Sequence, residues 1–273
     1  MTFTTFYFNG CSHTAGGGLY EPGIKNLYKE MYNIEWGHEK TVTYSKYVSE
    51  YFDVIRVDDS ACGSGAPRLI RKTFEYIKRV GLDESRKTLF FLQINNSINR
   101  IEYYCKEIND YLIMNLGYND DGTLHQFDIV DNWSLNDRKN PYEYYDGNIK
   151  KRMREFVDNH HDPMVYQEKM RSELIGLLSF MDLHNIKYYI LPDDNRICEP
   201  FDDIIINNKN VISLDGCLSI HAHTMTFKNR ISDELKNKTM DFHPGYFGHQ
   251  IYSKQLIKFL ESTGLKSNKN NII

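Results

Sequence analysis

A chain of 273 residues, 41% hydrophobic and 14% aromatic, has enough apolar material for a substantial core and a length that one α/β unit can reach. Its formal net charge of -4 supplies no basic field for duplex nucleic acid, so no nucleic-acid partner is expected. No apolar run approaches the roughly 18 residues of a membrane span, and the start shows no signal core, so no membrane is expected and the expected location is the cytoplasm or a virion.

In chain order, Phe3 to Gly18 has an aromatic and β-branched first half, which suits a buried strand, and a glycine-rich second half, which suits a tight turn leaving it. Ser12 then stands just past a strand's carboxyl end, the edge where open α/β sheets bind ligands, and is a candidate nucleophile. Gly16-Gly17-Gly18 lacks the Lys-Ser/Thr that grips phosphate and magnesium, so a phosphate loop is discounted. Gly23 to His38 reads as a loop with at most a short helix. Ser45 to Phe52 has a helical pattern with Tyr47, Val48, Tyr51 and Phe52 on one face, and Val54 to Val57 is a short strand. A second small-residue turn runs from Asp58 to Pro67. Pro67 opens a helix to about Val80 that buries Leu69, Ile70, Phe74 and Ile77, and Gly81 stops it.

Thr88 to Ile94 is the clearest strand, its run Leu89-Phe90-Phe91-Leu92 suiting a central parallel strand covered on both faces. It delivers Gln93-Ile94-Asn95-Asn96 to its carboxyl edge. Residues 98 to 160 lose periodicity, with Gly122 and Pro141 as breakers, and read as an insertion carrying a hairpin and short helices that cover or shape the pocket. Arg100 and Glu102 at its start either pair to fix the insertion or contact substrate. Val165 to His184 is helical through Met170, Leu174, Leu177, Leu178 and Met181, Ile186 to Leu191 is a strand, and Gln250 to Leu260 is a closing helix with Ile251, Leu256, Ile257 and Leu260 inward. The 266–273 tail reads as frayed. This alternation predicts an α/β fold, a three-layer doubly wound (flavodoxin-like) parallel sheet, as a single domain over 1–273 with the insertion inside it.

A nucleophilic serine needs a base and a group to orient that base. Met240-Asp241-Phe242-His243-Pro244 offers both, because residues two apart in an extended chain point the same way. Five scattered cysteines, Cys11, Cys62, Cys105, Cys198 and Cys217, have no Cys-x-x-Cys pair and read as free thiols. His221 and His223 share a strand face but have no third ligand nearby, so they read as surface histidines and no metal is expected.

The pairing of Gly10-Cys11-Ser12-His13-Thr14 with Asp241-Phe242-His243 resembles the SGNH hydrolases, also called GDSL-type esterases, and the Pro244 and Gly248-His249 that follow are similar to the ending of viral members. The resemblance implies Ser12 as nucleophile, His243 as base and Asp241 as acid. It also implies an oxyanion hole made by the Ser12 N–H, the Gly63 N–H (Gly65 being the alternative) and the Asn95 side chain. Three departures stand beside it. Cys11 replaces an acidic residue and is itself a weaker nucleophile candidate. Gln93 replaces the glycine of Gly-x-Asn-Asp and is expected to narrow the site. Asp-x-His is one residue shorter than Asp-x-x-His, which leaves open a triad or a Ser-His dyad oriented by a backbone carbonyl. His249 is expected to be structural.

The implied activity is hydrolysis of an ester without metal or organic cofactor. Tyrosine-rich loops with Trp36 and Trp133 favour an O-acetyl group on a carbohydrate. The expected partner is a small-molecule or glycan ester, with self-association or virion association open. The competing reading is an inactive binding or structural module of the same fold, such as a virion component.

Overall fold

Central strands that are apolar and buried on both faces set the architecture. The computed structural model describes residues 2–16, 43–61, 63–94, 100–106, 109–118, 124–130, 147–192, 201–212 and 244–267. The elements are β1 (Thr5–Asn9), α1 (Ser12–Ala15), α2 (Tyr44–Phe52), β2 (Ile55–Asp58), α3 (Ala66–Val80), α4 (Leu82–Arg86), β3 (Thr88–Ile94), β4 (Arg100–Cys105), β5 (Asp110–Tyr118), β6 (Leu124–Val130), α5 (Gly147–His160), α6 (Pro163–Leu183), β7 (Lys187–Pro192), α7 (Asp202–Ile206) and α8 (Tyr246–Ser262).

Four strands form one parallel sheet in the order β2-β1-β3-β7. Beyond β7 the sheet gains a parallel bridge between Ile190 and Val211, with the Ile190 N–H donating to the Asn210 carbonyl at 2.9 Å and the Ile190 carbonyl accepting from Ile212 at 3.0 Å. The period of two sends successive residues to opposite faces. Tyr7, Phe90, Leu92, Tyr188 and Ile190 pack with Leu69 and Ile77 of α3 and Leu174 and Met181 of α6. Phe6, Phe8, Leu89, Phe91 and Leu191 pack with Tyr44, Val48 and Phe52 of α2 and Leu256 and Leu260 of α8. Helices therefore cover both faces. The chain moves from β1 outward to β2 and then back across β1 to β3, and right-handed crossovers in opposite directions put α2 and α3 on opposite faces.

Helical faces differ from the sequence expectation in detail. The inward face of α2 is Tyr44, Ser45, Val48, Ser49 and Phe52, whereas Tyr51 is exposed. The stripe therefore takes in Tyr44 and two serines and turns away from Tyr47, which is half-buried, and Tyr51. Phe74 and Ile251 are also partly exposed, Phe74 lying edge-on to Phe180 at 5.5 Å between ring centroids.

Between β3 and α6, strands β4, β5 and β6 form a separate antiparallel sheet. Ile101, Cys105, Leu112, Met114 and Leu116 pack on Met153 and Val157 of α5. Arg100 and Glu102 do not pair with each other. As i and i+2 residues of β4 they share a face, and each finds a partner outside its own strand. Glu102 takes a bidentate pair from Arg71 of α3, at 2.8 and 2.6 Å, and the Arg71 guanidinium lies 4.0 Å from the centroid of the Tyr111 ring. Burial alone would lower the Arg71 pKa, but the carboxylates of Glu102 and Glu75 hold it above its ordinary value. Among the described residues no helix is long and apolar enough to cross a membrane.

Phe91 tests this core, since it is fully buried and stacks on Phe8 with centroids 4.7 Å apart. Phe91→Ala should cost about 3–5 kcal/mol of unfolding free energy by denaturant titration, as expected for a truncated core aromatic. A loss under about 1 kcal/mol would mean that this layer is not close-packed.

Candidate active site

The strand order reverses between β1 and β3, and in open α/β sheets the crevice at such a point, at the carboxyl ends of the strands, is where ligands bind. Gly10 leaves β1 at this crevice. A Cβ built on it would lie 2.6 Å from both the Cβ and the Oε1 of Gln93, so only glycine allows β1 and the Gln93 side chain to come this close. The chain then turns into α1, whose first residue is Ser12, with the Ala15 N–H donating to the Cys11 carbonyl at 3.0 Å.

Gln93 holds this turn. Its Oε1 accepts from the Thr14 N–H at 3.2 Å, from the Thr14 hydroxyl, and from the Cys11 thiol at 3.5 Å. The Thr14 hydroxyl has one proton and spends it on Gln93, so in its 3.0 Å contact with Tyr44 the phenol is the donor. Burial pushes the Tyr44 pKa well up, which keeps that proton in place. The Tyr44 N–H donates to Nδ1 of His249 at 3.3 Å, and the two rings stack with centroids 6.0 Å apart. Nδ1 must be unprotonated to accept. The network joins the ends of β1 and β3 to α1, α2 and the first turn of α8, all with buried side chains. The Gln93 amide oxygen is turned towards the Cys11-Thr14 turn. Cys11 is buried with its thiol facing Gln93, and His249 is buried against the Tyr44 ring.

A second turn lies against the first. The Asp59 N–H donates to the Phe8 carbonyl at 2.9 Å and the Ala61 N–H to the Gly10 carbonyl at 3.1 Å, which extends the β1/β2 pairing beyond the strands. The Ser64 N–H closes the turn on the Ala61 carbonyl at 3.1 Å around Gly63, whose φ of 71° suits glycine. Among the described residues, no group accepts from the Gly63 N–H. Gly65 is extended, with φ -119°, and caps α3. Asp58 stabilises the approach to this turn by accepting from the Ser45 hydroxyl at 2.8 Å, the Ser60 N–H at 3.1 Å and the Ser60 hydroxyl. Two arginines grip the turn's carbonyls: Arg68, buried, donates to Asp59, and Arg100 donates to Ser64 at 3.2 Å. Burial depresses the Arg68 pKa, opposed by the charge of Glu102.

Asn9 escaped sequence reasoning. It is fully buried, and the two protons of its Nδ2 are shared among the Leu69 carbonyl at 3.0 Å, the Thr73 hydroxyl at 3.1 Å and the Tyr7 hydroxyl at 3.2 Å, fastening α3 to β1. The signal available was an amide ending an otherwise apolar strand.

The backbone of Ser12, the Gly63 turn and the end of β3 therefore lie together at one sheet edge, and the first turn of α8 joins them through His249 and Tyr44. Asn95, Asp241 and His243 lie outside the described residues, as do Trp36, Trp133, His221, His223, Cys62, Cys198, Cys217, the 23–38 loop and the 268–273 end of the tail. Among the described residues no three His, Cys, Asp or Glu side chains could jointly hold a metal ion.

Gly10→Ala should destabilise the protein by about 1–3 kcal/mol through overpacking against Gln93, read as a lowered unfolding midpoint. An unchanged midpoint would show that the two turns are not held this closely. No protein-family model and no curated protein match the sequence. Among solved structures, the chain is similar to a carbohydrate esterase whose active site displays divergent catalytic and non-catalytic binding functions, at 10% identity, 96% coverage of this chain, 69% of that chain and a TM-score of 0.42.

Proposed function

We propose that this chain is a serine ester hydrolase of the SGNH (GDSL-type) kind, a single α/β domain over 1–273 of three-layer, doubly wound design with an insertion at about 98–160, acting on an ester and most simply on an O-acetyl group of a carbohydrate. The observation that supports the reading is the meeting of the Ser12 turn, the Gly63 turn, the β3 end and the α8 start at the crevice where the strand order reverses. These segments are far apart in sequence, and each abuts one residue of the proposed machinery.

In this reading His243 takes the Ser12 proton as Ser12 Oγ attacks the ester carbonyl, and Asp241 holds the imidazole tautomer. The N–H groups of Ser12 and Gly63 and the Asn95 amide stabilise the oxyanion. His243 then returns the proton to the leaving alcohol, and water attacks the acyl-Ser12 ester by the same route. No metal or organic cofactor is needed. A glycan or small-molecule ester is the expected partner, in the cytoplasm or a virion. A second reading, an inactive module of the same fold, is favoured by the shortened Asp241-Phe242-His243 spacing.

Turnover of short-chain aryl esters and acetylated sugars separates the two readings. In an active enzyme Ser12→Ala should lower turnover on the order of a millionfold, and Asn95→Ala about a hundred- to a thousandfold. Asp241→Asn should lower it about ten-thousandfold if Asp241 orients His243, against less than about tenfold if a backbone carbonyl does. No turnover on any ester by folded wild type favours the inactive module.

A further inference from the structure

We propose that Arg100 is a positioning residue for this site, holding the Gly63 turn from behind; the inference rests on the ester-hydrolase reading above. An N–H can stabilise a developing oxyanion only if it is already aimed when charge appears. Gly63-Ser64-Gly65 is a poor candidate for such rigidity, because glycine at two of three positions gives the backbone wide conformational freedom. Something outside the turn must supply the stiffness.

Upstream, the turn is fastened by Ala61 to the Gly10 carbonyl. Downstream, the fastening comes from the half-buried Arg100, whose Nη1 donates to the Ser64 carbonyl at 3.2 Å. The peptide unit is planar and trans, so gripping this carbonyl also fixes the Gly65 N–H, the alternative donor, on its opposite side, and holds the Ser64 end of the turn that begins at Gly63. A guanidinium on a backbone carbonyl makes a charge-assisted bond, stronger than a neutral one.

Arg100 is itself held. It opens β4, and two residues on, Glu102 is clamped by both nitrogens of Arg71, whose guanidinium lies against Tyr111 of β5. The antiparallel sheet is thereby locked to α3, the helix that the turn leads into. Rigidity passes from β5 through Arg71 and β4 to Arg100 and the Ser64 carbonyl. The sheet acts here as a brace, and Arg71 with Glu102 carries its docking, so Arg100 can be changed without undocking it.

The test is steady-state hydrolysis of 4-nitrophenyl acetate by the full chain, comparing wild type, Ser12→Ala, Arg100→Met and Arg100→Lys, with unfolding midpoints for each. Arg100→Met keeps the apolar stem and removes the donor. It should lower kcat on the order of a hundredfold, the scale of a small misplacement of catalytic groups. KM should stay within about twofold, since ground-state binding is not involved. Arg100→Lys, which keeps a cationic donor, should recover most of the loss, and neither midpoint should move. Unchanged kcat for Arg100→Met, a loss carried by KM, or a lowered midpoint with normal kcat per folded molecule overturns the positioning role while Ser12→Ala remains inactive. Wild-type turnover by Ser12→Ala instead overturns the ester-hydrolase reading, and the role of Arg100 with it.

Discussion

The close approach of Gly10 to Gln93 is the constraint on which the rest of the site depends. It lets the carboxamide of a central strand reach past β1 and collect the Thr14 N–H, the Thr14 hydroxyl and the Cys11 thiol on one oxygen. That oxygen fixes both residues flanking the Ser12-His13 pair. From Thr14 the bonds run through the Tyr44 phenol, and the Tyr44 backbone continues them to His249, so the amino-terminal turn and the closing helix are set by the same chain of contacts. Buried networks of this kind are costly when partly satisfied and specific when complete, which suits an edge that must hold one geometry.

The two faces of the sheet divide the work. Aromatic residues on β1 and β3, Phe6, Phe8 and Phe91, make one face rigid through mutual stacking under α2 and α8. The other face anchors α3 through Asn9 and Arg68, so that the Gly63 turn, which feeds α3, is held at its exit. On the central strands β1 and β3 the bulk is apolar, and Asn9 and Gln93 sit where the strands end. This separates the apolar body of the sheet from the polar edge at its carboxyl ends.

Much of this was legible in the sequence. The unbroken apolar run at 89–92 admits one environment, a central strand covered on both faces, and the small-residue turns after β1 and β2 follow from glycine's steric freedom. Less legible were positions decided by a distant partner. Tyr51 and Phe74 carry the right period for burial, yet neighbouring helices choose a face one residue away. Glu102 has Arg100 two residues off in sequence but is paired by Arg71, because a strand side chain meets what packs against its face rather than its own neighbours. The bonds that Gln93 makes to Cys11 and Thr14 were hidden too, since a single chain shows a substitution but not the direction in which the side chain folds. Asn9 was overlooked because its three acceptors, on Tyr7, Leu69 and Thr73, come together only after α3 docks.

In the proposed ester hydrolase, Ser12, at the crevice between β1 and β3, is an activated nucleophile. Activation is chemical and can be read without knowing the natural ester, because a fluorophosphonate phosphonylates an activated serine with loss of fluoride and leaves ordinary serines untouched. The most direct measurement is peptide mass mapping of the full chain after reaction with such a reagent. The account predicts a single adduct on Ser12, formed with loss of ester hydrolysis. An adduct on another residue, or hydrolysis that persists with Ser12 unmodified, would contradict it.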